Sequence, residues 1–247
     1  MAKLYKASSK YVPLKIKDPT DGSQKDIPPV TKYRLKISKT GILRYFSHLD
    51  WQNTFFKAIS RTDLKVAFSQ GFNPTMKISM GVALPLFVQS EGELIDIDLW
   101  EYVEPSVLKQ KLEKVLPKEA KIISIVNLDK FSKSIDNTAC WAEYKVGIFN
   151  KTLYDFENLK YNTNRVLSSE EIFIEKKNKK GLIKKINIKS SIKSYRFDDD
   201  CLFIILKTGQ GSDIPALRAD VLMNVIEPET VFDITRTRFF DEELREL

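Results

Sequence analysis

Tyr33-Arg34-Leu35-Lys36-Ile37-Ser38-Lys39-Thr40-Gly41, followed by Leu43-Arg44-Tyr45-Phe46-Ser47-His48-Leu49-Asp50, is the stretch on which the reading of this chain turns. Tyr33, Leu35 and Ile37 alternate with Arg34, Lys36 and Ser38. A period of two marks a strand with one buried face. Thr40-Gly41 ends it, and Leu49, Phe56 and Ile59 then recur at near-helical spacing. Ser47 fits the helix N-cap, with Asp50 as the acidic partner of a capping box.

Working outward, Val66 to Phe68 reads as a short strand, and Ser69-Gln70-Gly71-Phe72-Asn73-Pro74 as a loop of turn formers. Ile78 to Leu84 is extended, and Ile95, Ile97 and Leu99 mark another half-buried strand. Pro105 opens a helix carrying Val107, Leu108, Leu112 and Val115, because proline is tolerated in a first turn. Ala120 to Val126 closes the half as a strand. Strand, helix, strand, strand, helix, strand is the split βαβ order. The second half nearly repeats it. Trp141–Phe149, Ile172–Ile174, Ile183–Ile188, Leu202–Leu206 and Val231–Thr235 read as strands. Helices are expected over Leu153–Leu167, and from an Asp213 cap, with Pro215 in the first turn, to Ile226. The expected fold is therefore α+β: two ferredoxin-like domains with antiparallel sheets, at residues 32–127 and 140–240. A flexible basic arm (1–31), a polar linker (128–139) and an acidic tail (241–247) complete the chain.

Composition narrows the function classes. The 247 residues are 43% hydrophobic, which is enough for folded cores and argues against disorder of the whole chain. No apolar run reaches the roughly 18 residues of a membrane span. The lysine-rich first ten residues contain no apolar segment of a secretory signal, so a soluble, cytoplasmic protein is expected. Cys140 and Cys201 make no disulfide framework, and the two cysteines cannot hold an iron–sulfur cluster alone. His48 is the single histidine, which excludes a zinc site built on several. No metal or resident cofactor is expected.

Charge points toward a polyanion. The net charge is +7, yet residues 1–39 hold ten basic and three acidic side chains, and residues 172–197 nine basic and one acidic. Clustered positive charge attracts nucleic acid. Glu175-Lys176-Lys177-Asn178-Lys179-Lys180-Gly181-Leu182-Ile183-Lys184-Lys185 sits between two β-like runs. It reads as a hairpin tip able to grip phosphates without reading sequence. The competing reading is an exposed loop kept soluble by its charge.

Candidate site residues cluster around the first helix. Arg44, Ser47, His48 and Asp50 gather at its start, where free backbone N–H groups suit a phosphate. His48 is the candidate general base, or a reader of base edges. A structural reading stands beside this one: Ser47 and Asp50 cap the helix and His48 fills a corner. Gln70 and Asn73 carry amides that donate and accept. Glu91 and Glu93 share one strand face and are taken as a solvated edge. Arg236 and Arg238 would extend the lysine surface. Gly209-Gln210-Gly211-Ser212 lacks the lysine and spacing of a P-loop.

The two motifs of the opening stretch, with Phe68-Ser69-Gln70-Gly71-Phe72-Asn73-Pro74, Ser79-Met80-Gly81, Ala83-Leu84-Pro85-Leu86 and Ser90-Glu91, resemble the bacterial "radical SAM-linked" domain of unknown function. Glu175-Lys176-Lys177 with Lys179-Lys180-Gly181 is similar to that family's second-half basic signature. The resemblance spans about residues 32–240. It implies a partnership with a radical S-adenosylmethionine enzyme. Lacking a three-cysteine motif, this chain would be the stand-alone form, with the enzyme encoded separately. The resulting expectation is an accessory protein that binds RNA, tRNA or rRNA, for modification. Two alternatives stand: an RNA-processing or RNA-modifying enzyme using His48 as acid or base, and a protein-interaction subunit that binds no RNA.

Overall fold

The computed structural model describes residues 30–70, 72–129, 132–149, 155–177, 181–209 and 214–247. The expected arm, apart from its last two residues, lies outside the described residues.

Strand β1 (Thr31–Lys39) buries Tyr33, Leu35 and Ile37 completely, as the alternation requires. After a 3-10 turn over Gly41–Tyr45 comes α1 (His48–Ile59), then β2 (Ile78–Met80), β3 (Gln89–Leu99), α2 (Pro105–Glu113) and β4 (Ile122–Leu128). Helix α3 (Ile135–Thr138) leads to β5 (Trp141–Ile148) and α4 (Phe156–Leu167). The remainder is β6 (Phe173–Lys177), β7 (Ile183–Asn187), β8 (Ile192–Asp198), β9 (Cys201–Lys207), α5 (Ala219–Ile226) and β10 (Phe232–Phe240).

An eight-stranded sheet runs β4-β1-β3-β10-β5-β9-β8, with β2 hydrogen-bonded to β3. Each half therefore sets its last strand beside its first. The expectation of purely antiparallel sheets fails at one place. Strands β3 and β10 meet in parallel, with Thr235 opposite Gln89 and Arg236 opposite Ser90, so the halves share one sheet. Strands β6 and β7 form a separate antiparallel hairpin.

Two apolar cores result. One packs Trp51 and Phe55 of α1 and Leu108 and Leu112 of α2 against β1 and β3. The other gathers Val146, Leu159, Leu202 and Leu222 from the second half, but it also takes Leu84, Val88, Leu94 and Ile135. The stretch expected as a linker thus contributes a fully buried residue, Ile135.

Three further expectations change. Strand β8 escaped the reading, because its exposed Lys193, Ser194, Tyr195 and Arg196 show little apolar alternation. Helix α5 begins at Ala219 and not beside Pro215, whose carbonyl accepts from Ser191 Oγ at 2.7 Å. Leu217 N–H likewise donates to Lys207 at the end of β9, so this segment is extended. Asp213 and the Gln210–Ser212 turn lie outside the described residues, as does Leu153. Finally, β10 runs on through Arg236 and Arg238, well past Thr235.

Candidate functional site

The capping motif forms as its sequence demands. Ser47 Oγ accepts from Asp50 N–H at 3.2 Å, and Asp50 Oδ2 accepts from Ser47 N–H at 3.3 Å. This sets His48 as the first residue of α1, half-buried. Arg44, in the preceding turn, donates from Nε to Phe87 O at 3.0 Å and from Nη2 to Asp233 Oδ1 at 2.7 Å. It therefore ties the start of α1 to the loop before β3 and to β10. Phe87 answers with its own N–H to Arg44 O at 2.8 Å, from a left-handed backbone (φ 68°). A non-glycine residue there is held by its surroundings.

Beneath His48 lies a buried charged cluster. Lys39 is 1% exposed and donates from Nζ to Phe46 O at 2.8 Å. Glu93 is 6% exposed and Arg236 1%. They form a buried ion pair, with Arg236 Nε 3.2 Å from Glu93 Oε1 and Nη2 donating to the same oxygen. Arg236 Nη2 also donates to Val82 O at 2.9 Å, and its guanidinium stacks 4.4 Å above the Phe239 ring. Its Nη1 is buried with no hydrogen-bond partner among the described residues.

The electrostatics follow from this burial. Burial disfavours the charged form of Lys39 and lowers its pKa, while the Glu93 carboxylate opposes the shift. The His48 imidazole is pulled below its ordinary value by burial, against Glu93 and with Arg236 and Lys39 acting alongside. Arg236 is also penalised by burial, but Glu93 and Tyr144 more than offset this and hold it above its ordinary value. His48 is therefore neutral near pH 7. Its imidazole is partly open to solvent and coupled to these buried charges.

The predicted residues do not form one site. Arg44, Ser47, His48 and Asp50 come together, and Arg236 joins them from below. Arg238 belongs to a second network, with Nε 3.0 Å from Glu143 Oε2 and Nη1 3.3 Å from Glu246 Oε2. Both arginines are thus engaged by carboxylates, Arg236 buried and Arg238 partly exposed. Gln70 and Asn73 sit exposed on a loop closed by Ser69 and Thr75, with no hydrogen bond to Arg44, Ser47 or His48. Gly71, Lys179 and Lys180 lie outside the described residues. Lys176 and Lys177 are exposed on β6, and Lys184 and Lys185 on β7.

Sequence reasoning missed Lys39 and Glu93. Glu93 is not the solvated edge expected of it, because β3 is covered on both faces there. A lone charged residue in an apolar strand carries no local sign of its partner, and Arg236 is 143 positions away. Among the described residues, no group of three histidine, cysteine, aspartate or glutamate side chains is placed to hold a metal. No helix there is long and apolar enough to cross a membrane.

The chain matches no curated protein. Residues 32–218, which hold the capping motif, Lys39, Glu93 and the lysine hairpin, match the family described as an uncharacterized protein conserved in bacteria, DUF2344, and the chain belongs to that family.

Proposed function

We propose that the chain binds RNA, tRNA or rRNA, through the β6–β7 hairpin and serves as an accessory to a separate radical S-adenosylmethionine enzyme. One observation carries the RNA reading. Lys176 lies directly opposite Lys184 in the hairpin ladder, and Lys176, Lys177, Lys184 and Lys185 make no ion pair among the described residues. Like charges facing each other across two strands destabilise them. Arg44, Arg236 and Arg238, by contrast, are each paired with a carboxylate. The Lys176–Lys184 pair, left repelling on an exposed hairpin, suits a phosphate backbone, which relieves the repulsion on binding, while Lys185 faces Glu175. The partnership with a radical enzyme rests on the motif resemblance. The reading of each half as a ferredoxin-like unit is supported by the strand orders β4-β1-β3 with β2, and β10-β5-β9-β8.

The test is the salt dependence of binding to total cellular RNA. Changing Lys176, Lys177, Lys184 and Lys185 to alanine is expected to flatten the slope by about one per lost phosphate contact. Equal slopes for the two proteins would sink the reading.

A second reading has its own observation. His48 is half-buried and neutral near pH 7, with the buried Glu93 carboxylate among the charges acting on it, which suits a general base. If the chain is an RNA-processing or RNA-modifying enzyme, His48→Ala abolishes turnover while RNA affinity survives.

A further inference from the structure

The sheet face turned away from α1 and α2 carries a groove of about 300 Å3, separate from the His48 cluster and from the hairpin. Lys32, Ser69, Thr75, Lys77, Asp96 and Asp98 line it. The register of β1 on β3 sets Lys32 opposite Asp98 and Arg34 opposite Asp96. Asp96 is saturated. Arg34 forks onto it at 2.7 and 2.9 Å, and Lys32 Nζ leans diagonally to it at 3.4 Å. That leaves Asp98 half-buried, with no side-chain hydrogen bond or ion pair among the described residues. Lys77, exposed at the rim, has none among them either. Burial lifts the Asp98 carboxyl above its usual range, against Lys32 and Lys77 and with Asp96 adding to the rise. The Ser69 and Thr75 hydroxyls, 3.1 Å apart, hold the wall in shape.

A partly buried carboxylate without donors is costly unless something supplies them. A carboxylate has two acceptor oxygens and takes a pair of parallel N–H donors best. Among the bases of single-stranded RNA, read on their Watson–Crick edges, guanine presents two adjacent donors, N1–H and the 2-amino group. The groove's volume is at the low end for small-ligand sites, on the order of one nucleotide.

We propose that this groove is a guanine-nucleotide subsite, in which Asp98 accepts the N1–H and 2-amino donors and Lys77 meets the phosphate. As part of an RNA surface it rests on the RNA reading above. The same chemistry also fits a free guanine nucleotide, and the experiment separates the two sources.

The full chain is titrated with GMP, AMP, CMP and UMP, followed by amide chemical shifts. GMP is expected to bind at least about tenfold tighter than AMP, with the largest shifts at residues 75–79 and 96–98. Asp98→Asn, which keeps the side chain's shape and removes the buried charge, is expected to erase that preference while the melting temperature does not fall. Lys77→Ala is expected to weaken all four nucleotides alike. Equal affinity for GMP and AMP, or a preference that survives Asp98→Asn, overturns the proposal. The hairpin-lysine variant separates this result from the RNA reading, because it keeps GMP selectivity. Guanine selectivity together with RNA affinity identifies a base of the RNA as ligand. Selectivity without RNA affinity identifies a free guanine nucleotide and defeats the RNA reading alone.

Discussion

Arg236 and Glu93 meet almost without water, and that fixes what their loss must do. Removing one member leaves the other charge buried and uncompensated, which costs about 3–5 kcal/mol, more than the intact pair itself contributes. Glu93→Ala is therefore expected to lower the unfolding free energy by about that amount in urea titration. Pairing Glu93→Leu with Arg236→Met is expected to recover most of it, and a double variant no better than the single would contradict the account. His48 gives a pH signature. Its folded pKa lies below the unfolded value of about 6.5. Between those values the unfolded chain holds a proton that the folded chain does not. Stability is therefore retained above about pH 6.5 and falls as the pH drops through the window toward the lowered folded pKa. Urea titrations across this range should show the decline in the parent and a shallower one in His48→Gln; identical slopes would remove His48 from the account. At this scale the sequence was a poor guide. Ser47 and Asp50 lie three apart and interact locally, so their roles could be read directly. Lys39 and Glu93 take their meaning from partners in other elements, and no spacing rule reaches that far.

Among the elements, those with a strong local period were legible. Strand β1 alternates cleanly and α1 has its cap, but of the expected apolar residues only Ile59 is fully buried: Leu49 is exposed and Phe56 partly buried, and the buried face runs through Trp51, Phe55, Ala58 and Ile59. Helix α2 starts at Pro105 as its first-turn proline implied. Because α1's start carries Arg44 and His48, its cap is also a test of the site. Ser47→Ala is expected to cost about 1 kcal/mol, and Ser47→Thr much less. Thermal unfolding with circular dichroism would check this, and an unchanged midpoint for Ser47→Ala would show the capping box idle. Strand β8 and the start of α5 were illegible for a common reason. Each is fixed by neighbours, β8 by pairing with β9 and the 215–217 segment by bonds to Ser191 and Lys207. The length of β10 was hidden in the same way, since Arg236 and Arg238 look like the end of a strand until Glu93 and Glu143 are set opposite them.

At the scale of the whole molecule, the repeated element order suggested two separate bodies, yet the chain is sewn together at three places. The β3–β10 ladder joins the sheets, and the Arg236–Glu93 pair crosses the same seam. Leu84, Val88, Leu94 and Ile135 sit in the second core. The acidic tail adds a third attachment. Leu247 N–H donates to Phe239 O at 3.0 Å, Glu246 takes Lys36 at 3.0 Å, and Glu242 takes the buried Lys207 at 2.7 Å. Lys36 belongs to β1, so the tail spans from the last strand to the first. Separating the halves would open the seam's buried ion pair and uncover apolar side chains on both sides, each a cost of several kcal/mol. Neither half then has an independent folded state of comparable stability, and heating is expected to unfold the chain in one transition with equal calorimetric and van't Hoff enthalpies. Two resolved calorimetric peaks would show that the seam is too weak to couple the halves. Deleting residues 241–247 sharpens the test. It removes the tail's attachments but leaves the ladder and the Arg236–Glu93 pair, so the single transition should move to lower temperature without splitting.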